Sequence, residues 1–190
     1  LGNPALKPEI NYQADLIAEY RDENNLAVIT LFRSDVQNYI TGTLLPPSVA
    51  RPLSTGAPGV KQFNNLSRAV FYGFEAEFTR TFLERLTASA SAGTTLAYSP
   101  ETEKIILENG QATGTIVLKN DPIAEIPPFE AMVRASYILL SGRVKTGVNV
   151  RLVSAQKRIS EASYEEATPG FALLNFSLEY QPVKPVFITI

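Results

Sequence analysis

The chain has 190 residues and a formal net charge of −2, from 17 basic and 19 acidic side chains, so no basic field marks a nucleic-acid partner. Histidine, cysteine and tryptophan are absent, which excludes a disulfide framework, Cys/His metal sites and histidine-based catalysis. No apolar run approaches the roughly 20 residues that a spanning helix needs, so any membrane span here would have to be built from strands.

Apolar segments of strand character are expected at 10–22, 25–40, 67–79, 85–98, 129–140, 143–157, 171–181 and 185–190. In the first, Tyr12, Ala14, Leu16, Ala18 and Tyr20 share one face, and Asn11, Gln13, Asp15, Glu19 and Arg21 share the other. The polar pair Glu23 and Asn24 then marks a tight turn. The second segment ends in a long break at 41–66. The third sets Val70, Tyr72, Phe74, Ala76 and Phe78 against Gly73, Glu75, Glu77 and Thr79, before a short break at 81–84. Within the long break at 99–128, residues 105–107 and 115–118 flank Asn109 and Gly110, which reads as a hairpin.

The fifth segment alternates Ala131, Val133, Ala135 and Tyr137 with Glu130, Arg134 and Ser136, and turns at Ser141 and Gly142. The sixth alternates Val144, Thr146, Val148, Val150 and Leu152 with Lys145, Gly147, Asn149 and Arg151. After a break at 158–170, Leu174, Phe176, Leu178 and Tyr180 oppose Asn175, Ser177 and Glu179, and a short break at 182–184 follows.

Four features converge. Period two with charges on one face fits strands that turn apolar groups to lipid and polar groups to a lumen. The segments exceed the 5–6 residues usual in globular proteins and match the roughly 9–11 of a tilted membrane strand. Short and long breaks alternate, as short periplasmic turns and long extracellular loops do in outer-membrane barrels. Tyr20, Phe78, Tyr137 and Tyr180 all lie near short turns on the apolar face, as an interfacial girdle would. A soluble sheet explains the alternation alone, and a lipocalin-like barrel would expose a large apolar patch. The expected fold is therefore all-β, an antiparallel transmembrane β-barrel segment.

Four motifs carry a family resemblance. Gly2-Asn3-Pro4-Ala5-Leu6-Lys7-Pro8-Glu9 resembles the N-P-x-L-K-P-E segment that precedes a late strand in TonB-dependent receptors. Phe32-Arg33-Ser34-Asp35-Val36-Gln37-Asn38-Tyr39-Ile40 is similar to the F-Y-x-D-I-x-D-x-I strand of that family, and Tyr72-Gly73-Phe74-Glu75 to its Y-G-x-E strand. Thr168-Pro169-Gly170-Phe171-Ala172-Leu173-Leu174-Asn175 is similar to its T-P-G-Y-x-L-x-N segment, and Phe187-Ile188-Thr189-Ile190 would begin the following strand. The resemblance spans 1–190 and implies the C-terminal portion of a plugged barrel of roughly 22 strands, of which this chain supplies about eight. Residues 1–4 do not form a basic-then-apolar leader and 186–190 break off in mid-strand, so a piece of a longer chain is expected.

Further expectations follow from the resemblance. They are an outer-membrane location in bacteria, contact with membrane lipid, a plug domain and TonB as partners, and uptake of a scarce nutrient, with a ferric siderophore favoured. The alternative is a self-contained eight-stranded outer-membrane barrel with a structural or adhesive role. Ligand contacts are expected in the 41–66 loop at Arg51, Lys61, Phe63, Asn64 and Asn65. Asp15, Glu19, Arg33, Glu75, Glu77, Arg134 and Arg151 are expected to face the lumen. Glu75 and Glu77, two apart on a strand, share a wet face without a nucleophile–base pair nearby, so no enzymatic activity and no cofactor are expected. Glu161, Glu165 and Glu166 offer hard oxygens for Ca²⁺, but their spacing does not define a site, and no metal is expected. Arg21, Arg80, Arg85 and Arg143 belong to the short turns as interface anchors or solvated groups.

Overall fold

A computed structural model describes residues 3–45, 50, 60–109, 111–183, 185–186 and 188–189. Its strands are β1 (Ile10–Arg21), β2 (Asn25–Leu45), β3 (Val60–Phe82), β4 (Leu86–Glu108), β5 (Gln111–Pro122), β6 (Glu130–Leu139), β7 (Val144–Val153), β8 (Phe171–Tyr180) and β9 (Ile188–Thr189). All pair antiparallel in one sheet of order β1-β2-β3-β4-β6-β7-β8-β9, and β5 pairs with the far part of β4. The sheet is open, with β1 at one edge and β9 at the other. The described strands therefore do not close into the eight-stranded barrel weighed above.

Cross-strand partners share a face, so the register sorts every side chain. One face carries Tyr12, Ala14, Leu16, Ala18 and Tyr20 of β1. It continues through Ala27, Ile29 and Leu31 of β2 and Phe74, Ala76 and Phe78 of β3 to Val148, Val150, Leu174 and Phe176 of β7 and β8. It is strongly exposed, with Leu16 67% and Phe176 75% accessible. The buried apolar residues are few and small by comparison: Val36, Ala69, Val70, Ala97 and Ile123. So much bare apolar surface fits a face made for lipid rather than water.

The opposite face is polar. One transverse row runs Glu19, Val28, Glu77, Ser91, Met132 and Arg151. The next runs Ile17, Thr30, Glu75, Gly93, Glu130 and Val153. Asp15 pairs with Phe32, and Arg134 with Ser89 and Asn149, on this same face. Arg33 does not join them. It pairs with Ala14 and Tyr72, between Leu31 and Asp35, on the apolar face. The expected place of Arg33 among the polar-face residues is therefore corrected to the apolar face.

The β1–β2, β3–β4, β6–β7 and β8–β9 connections lie at one end. Asp22 closes the β1–β2 turn: its Oδ1 accepts from the backbone N–H groups of Asn24 and Asn25, each at 2.8 Å, and its Oδ2 accepts from the Tyr20 hydroxyl at 2.8 Å. These bonds hold the Asp22 carboxyl down at about 2, the Asn24 N–H contributing most. The β3–β4 turn takes positive φ at Leu83 and Glu84, the conformation that matches strand twist in tight hairpins.

At the other end the sheet splits. β3 pairs with β4 only from Phe82↔Leu86 to Val70↔Tyr98. Beyond this, β3 follows β2 out to Leu45↔Val60, while β4 follows β5 out to Glu108↔Gln111. Strands of 21, 23 and 23 residues in β2, β3 and β4 are twice what a membrane crossing needs. Two hairpin arms therefore rise past the apolar zone. The expected hairpin around Asn109 is the tip of the second arm, and much of the expected 41–66 loop is strand in the first.

Candidate functional site

The arms are braced by side chains that span long stretches of sequence. The segment before β1 lies along the first arm. Asn65 Oδ1 accepts from the Lys7 N–H at 2.8 Å, and its Nδ2 donates to the carbonyls of Lys7 (3.0 Å) and Asn38 (2.6 Å). Asn3 Nδ2 donates to the Phe63 carbonyl and to Asn64 Oδ1, and Glu9 Oε1 accepts from the Ile40 N–H at 2.6 Å. Pro4 and Pro8 suit this extended course because their rings fix φ.

The segment between β7 and β8 folds across the second arm. Asp121, 5% exposed, accepts from Ser160 Oγ at 2.6 Å, from Glu161 N–H at 3.0 Å and from Ala162 N–H at 3.4 Å. Glu165 accepts from the N–H groups of Ser160 (2.8 Å) and Glu125 (3.0 Å). Lys104 pairs with Glu161 at 3.5 Å and lies over the Tyr164 ring, whose hydroxyl donates to the Ile105 carbonyl. Lys61 of the first arm reaches Glu125 at 2.9 Å and lowers the pKa of its carboxyl. The carboxylates of Glu161 and Glu165 are thus engaged by an ammonium and by backbone N–H groups. Among the described residues, no group of three or more His, Cys, Asp or Glu is placed to hold a metal ion.

Between the arms, under residues 160–163, lies a cleft of about 560 Å³. Thr41, Thr43, Asn64, Ser67, Thr102 and Glu103 are among its lining residues. Thr102 Oγ1 is buried without a hydrogen-bond partner among the described residues. The lining supplies hydroxyls, amides and carboxylates, and so can hydrogen-bond a polar ligand rich in oxygen and nitrogen.

Of the expected ligand contacts, Asn64 and Asn65 line this cleft and Phe63 is 54% exposed beside them in sequence. Lys61 is engaged with Glu125, Asn65 is spent on the backbone, and Arg51 lies outside the described residues. The expected lumenal residues Asp15, Glu19, Glu75, Glu77, Arg134 and Arg151 share the polar face. Asp15, Glu19, Glu75 and Glu77 lie on β1 and β3, and Arg134 and Arg151 lie on β6 and β7 beside Glu130. Arg151 forks onto Glu130 through bonds of 2.6 and 2.7 Å. Ser91 and Gly93 of β4 lie between β3 and β6, in a hollow of about 400 Å³ that also includes Glu75, Glu77 and Glu130. Asp121, Ser160, Glu165 and Lys104 had no local signal in the sequence, because their partners are distant along the chain.

Residues 1–189 match the family model described as TonB dependent receptor-like, beta-barrel. The chain belongs to this family. Among solved structures, the copper transporter OprC is similar over 98% of this chain and 25% of its own, at 18% identity and a TM-score of 0.77. The FrpB iron transporter from Neisseria meningitidis (F3-3 variant) is similar over 94% of this chain and 25% of its own, at 12% identity and a TM-score of 0.62. The siderophore receptor PiuA from Acinetobacter baumannii is similar over 95% of this chain and 23% of its own, at 13% identity and a TM-score of 0.60. The chain thus spans about a quarter of the length of each of these proteins. A sequence comparison with curated proteins found no match.

Proposed function

We propose that this chain is the C-terminal part of the barrel wall in a bacterial outer-membrane receptor that takes up a scarce nutrient with energy from TonB, a ferric siderophore being the favoured cargo. The family match over residues 1–189 carries this reading. The geometry agrees with it. The apolar face would meet membrane lipid, the polar face with Asp15, Glu19, Glu75, Glu77, Arg134 and Arg151 would line the lumen against the plug, and the braced arms would stand outside the cell. Capture would fall to the arms and cleft, with Lys61, Phe63 and Asn64 on the outer rim. The plug and the TonB contact would come from other parts of the receptor. The role is that of a wall and a binding surface, not a catalyst.

The similar structures are a copper transporter, an iron transporter and a siderophore receptor. This part of the wall has no His or Cys and a single Met, Met132, whose Sδ takes a hydrogen bond from Asn149. It thus offers few soft donors for a bare copper ion. Hydroxyls, amides and carboxylates in the cleft suit the periphery of an oxygen-rich chelate better. A strain deleted for the full gene should lose growth on one ferric chelate as sole iron source and regain it with the gene restored. Unchanged growth on every iron and cobalamin source would overturn the nutrient assignment.

A further inference from the structure

Toward the long arms the apolar face carries a cluster of charged groups. On β2 the outward row runs Ala27, Ile29 and Leu31, then Arg33 and Asp35. Arg68 of β3 reaches Asp35 on the same face, its Nε donating to Oδ1 at 2.8 Å and its Nη2 to Oδ2. Arg33 is exposed and makes no ion pair among the described residues. Two guanidinium groups thus lie near one carboxylate, and only that of Arg68 is bonded to it. An open groove of about 440 Å³ beside them includes Tyr12, Ala14, Arg33 and Asp35.

The position fixes what they would meet. Tyr12 stands opposite Asp35 and Tyr72 opposite Arg33, and the Tyr98 ring meets Tyr72 edge-on at 6.4 Å. Tyr20 and Phe78 mark the other edge of the same face. Tyr12 and Tyr20 are about 26 Å apart along β1 at roughly 3.3 Å per residue, which projects to about 20 Å at a strand tilt near 40°. That span is close to the apolar band of a membrane barrel, about 25 Å, edged by aromatic girdles. Arg33 and Arg68 therefore lie at the boundary on the side of the long arms, where a long basic side chain extends toward the interface. The anions at that depth are lipid phosphates, and a guanidinium matches phosphate geometry through two parallel donors.

We infer that Arg33, supported by Arg68 and the hydroxyls of Tyr12 and Tyr72, forms an outward-facing site for the phosphate of an outer-leaflet glycolipid. Asp35 occupies two Arg68 donors, so it competes with the phosphate and limits the net charge of the cluster. The site rests on the barrel reading above, because only a membrane-inserted wall brings this face to lipid headgroups.

The test uses the full-length receptor in detergent, with lipid retention counted by native mass spectrometry against lipid A, phosphatidylcholine and inorganic phosphate. Lipid A should be retained over phosphatidylcholine. Arg33→Ala should lower its occupancy at least tenfold, while Lys119→Ala, which removes a positive charge from β5, should leave it unchanged. Asp35→Asn removes the competing carboxylate and should raise occupancy, a gain that misfolding would not produce. Wild-type retention in Arg33→Ala, equal retention of phosphatidylcholine, or displacement of lipid A by millimolar inorganic phosphate would each overturn the site. A receptor that fails to insert into vesicles would sink the barrel reading itself. A receptor that inserts but retains lipid without regard to Arg33 would sink this inference alone.

Discussion

Replacing Asp121 by Ala should release the segment that roofs the cleft without unfolding the sheet beneath it. The buried carboxylate is the acceptor for Ser160 Oγ and for the N–H groups of Glu161 and Ala162. A hydrogen bond to a charged group contributes about 1.5–3 kcal/mol. The 3.4 Å contact is weak, however, and the freed donors can reach water once the segment lifts. Two effective bonds less that recovery leave about 3 kcal/mol of lost local stability, roughly a hundredfold in the opening constant. Glu165 still holds the N–H groups of Ser160 and Glu125, so opening should be confined to residues near 160–163. Hydrogen exchange on the full receptor can read this directly, since local opening sets amide protection. Protection of the Glu161 and Ala162 amides should fall by about two orders of magnitude, while β6, β7 and β8 stay unchanged. Unaltered protection at those two amides would refute the assigned role and leave the segment held by Glu165 and Tyr164.

Three further outcomes follow from the faces and turns. Phe176→Arg on the apolar face should destabilise the inserted barrel by about 2–4 kcal/mol, whereas Asn175→Arg on the polar face should be tolerated; equal effects in lipid-vesicle unfolding would contradict the assignment of faces. Gly73→Ala should sharply lower the folded fraction seen as heat-modifiable gel mobility, because its Cβ would sit 2.1 Å from the Thr94 carbonyl oxygen and 2.8 Å from the Phe32 ring. Gly114→Ala, with nothing within 4 Å, should fold normally. Asp22 has a folded value of about 2 against 3.8 unperturbed, so its turn is fully supported above pH 3.8 and loses that support as pH falls toward 2. The amide shifts of Asn24 and Asn25 should titrate with a midpoint near 2; a midpoint near 3.8 would show that the carboxylate is free.

How much of this was legible in the sequence depended on how cleanly each strand separates its faces. β7 alternates Val144, Thr146, Val148, Val150 and Leu152 with Lys145, Gly147, Asn149 and Arg151, so its orientation needs no partner to be read. The arms were only half visible, because nothing local distinguishes a strand in the membrane from its continuation above it. Asp121 is invisible as a brace, because its donors sit on a segment that folds back from between β7 and β8.

β2 shows why Arg33 was misplaced. Leu26, Val28, Phe32 and Val36 lie on one face and Ala27, Ile29 and Leu31 on the other, so neither side of the strand reads as polar. Only the pairing of Leu16 with Leu31 and of Ala14 with Arg33 sets the phase. The apolar residue that obscures it has its own cause. Phe32 stands on the polar face opposite Gly73, and its ring occupies the space a Cβ there would need. Covering a strand glycine with a cross-strand aromatic restores packing that the glycine lacks. The orientation of Arg33 is therefore encoded in Gly73, on the next strand, and a reading of β2 by itself could not have found it.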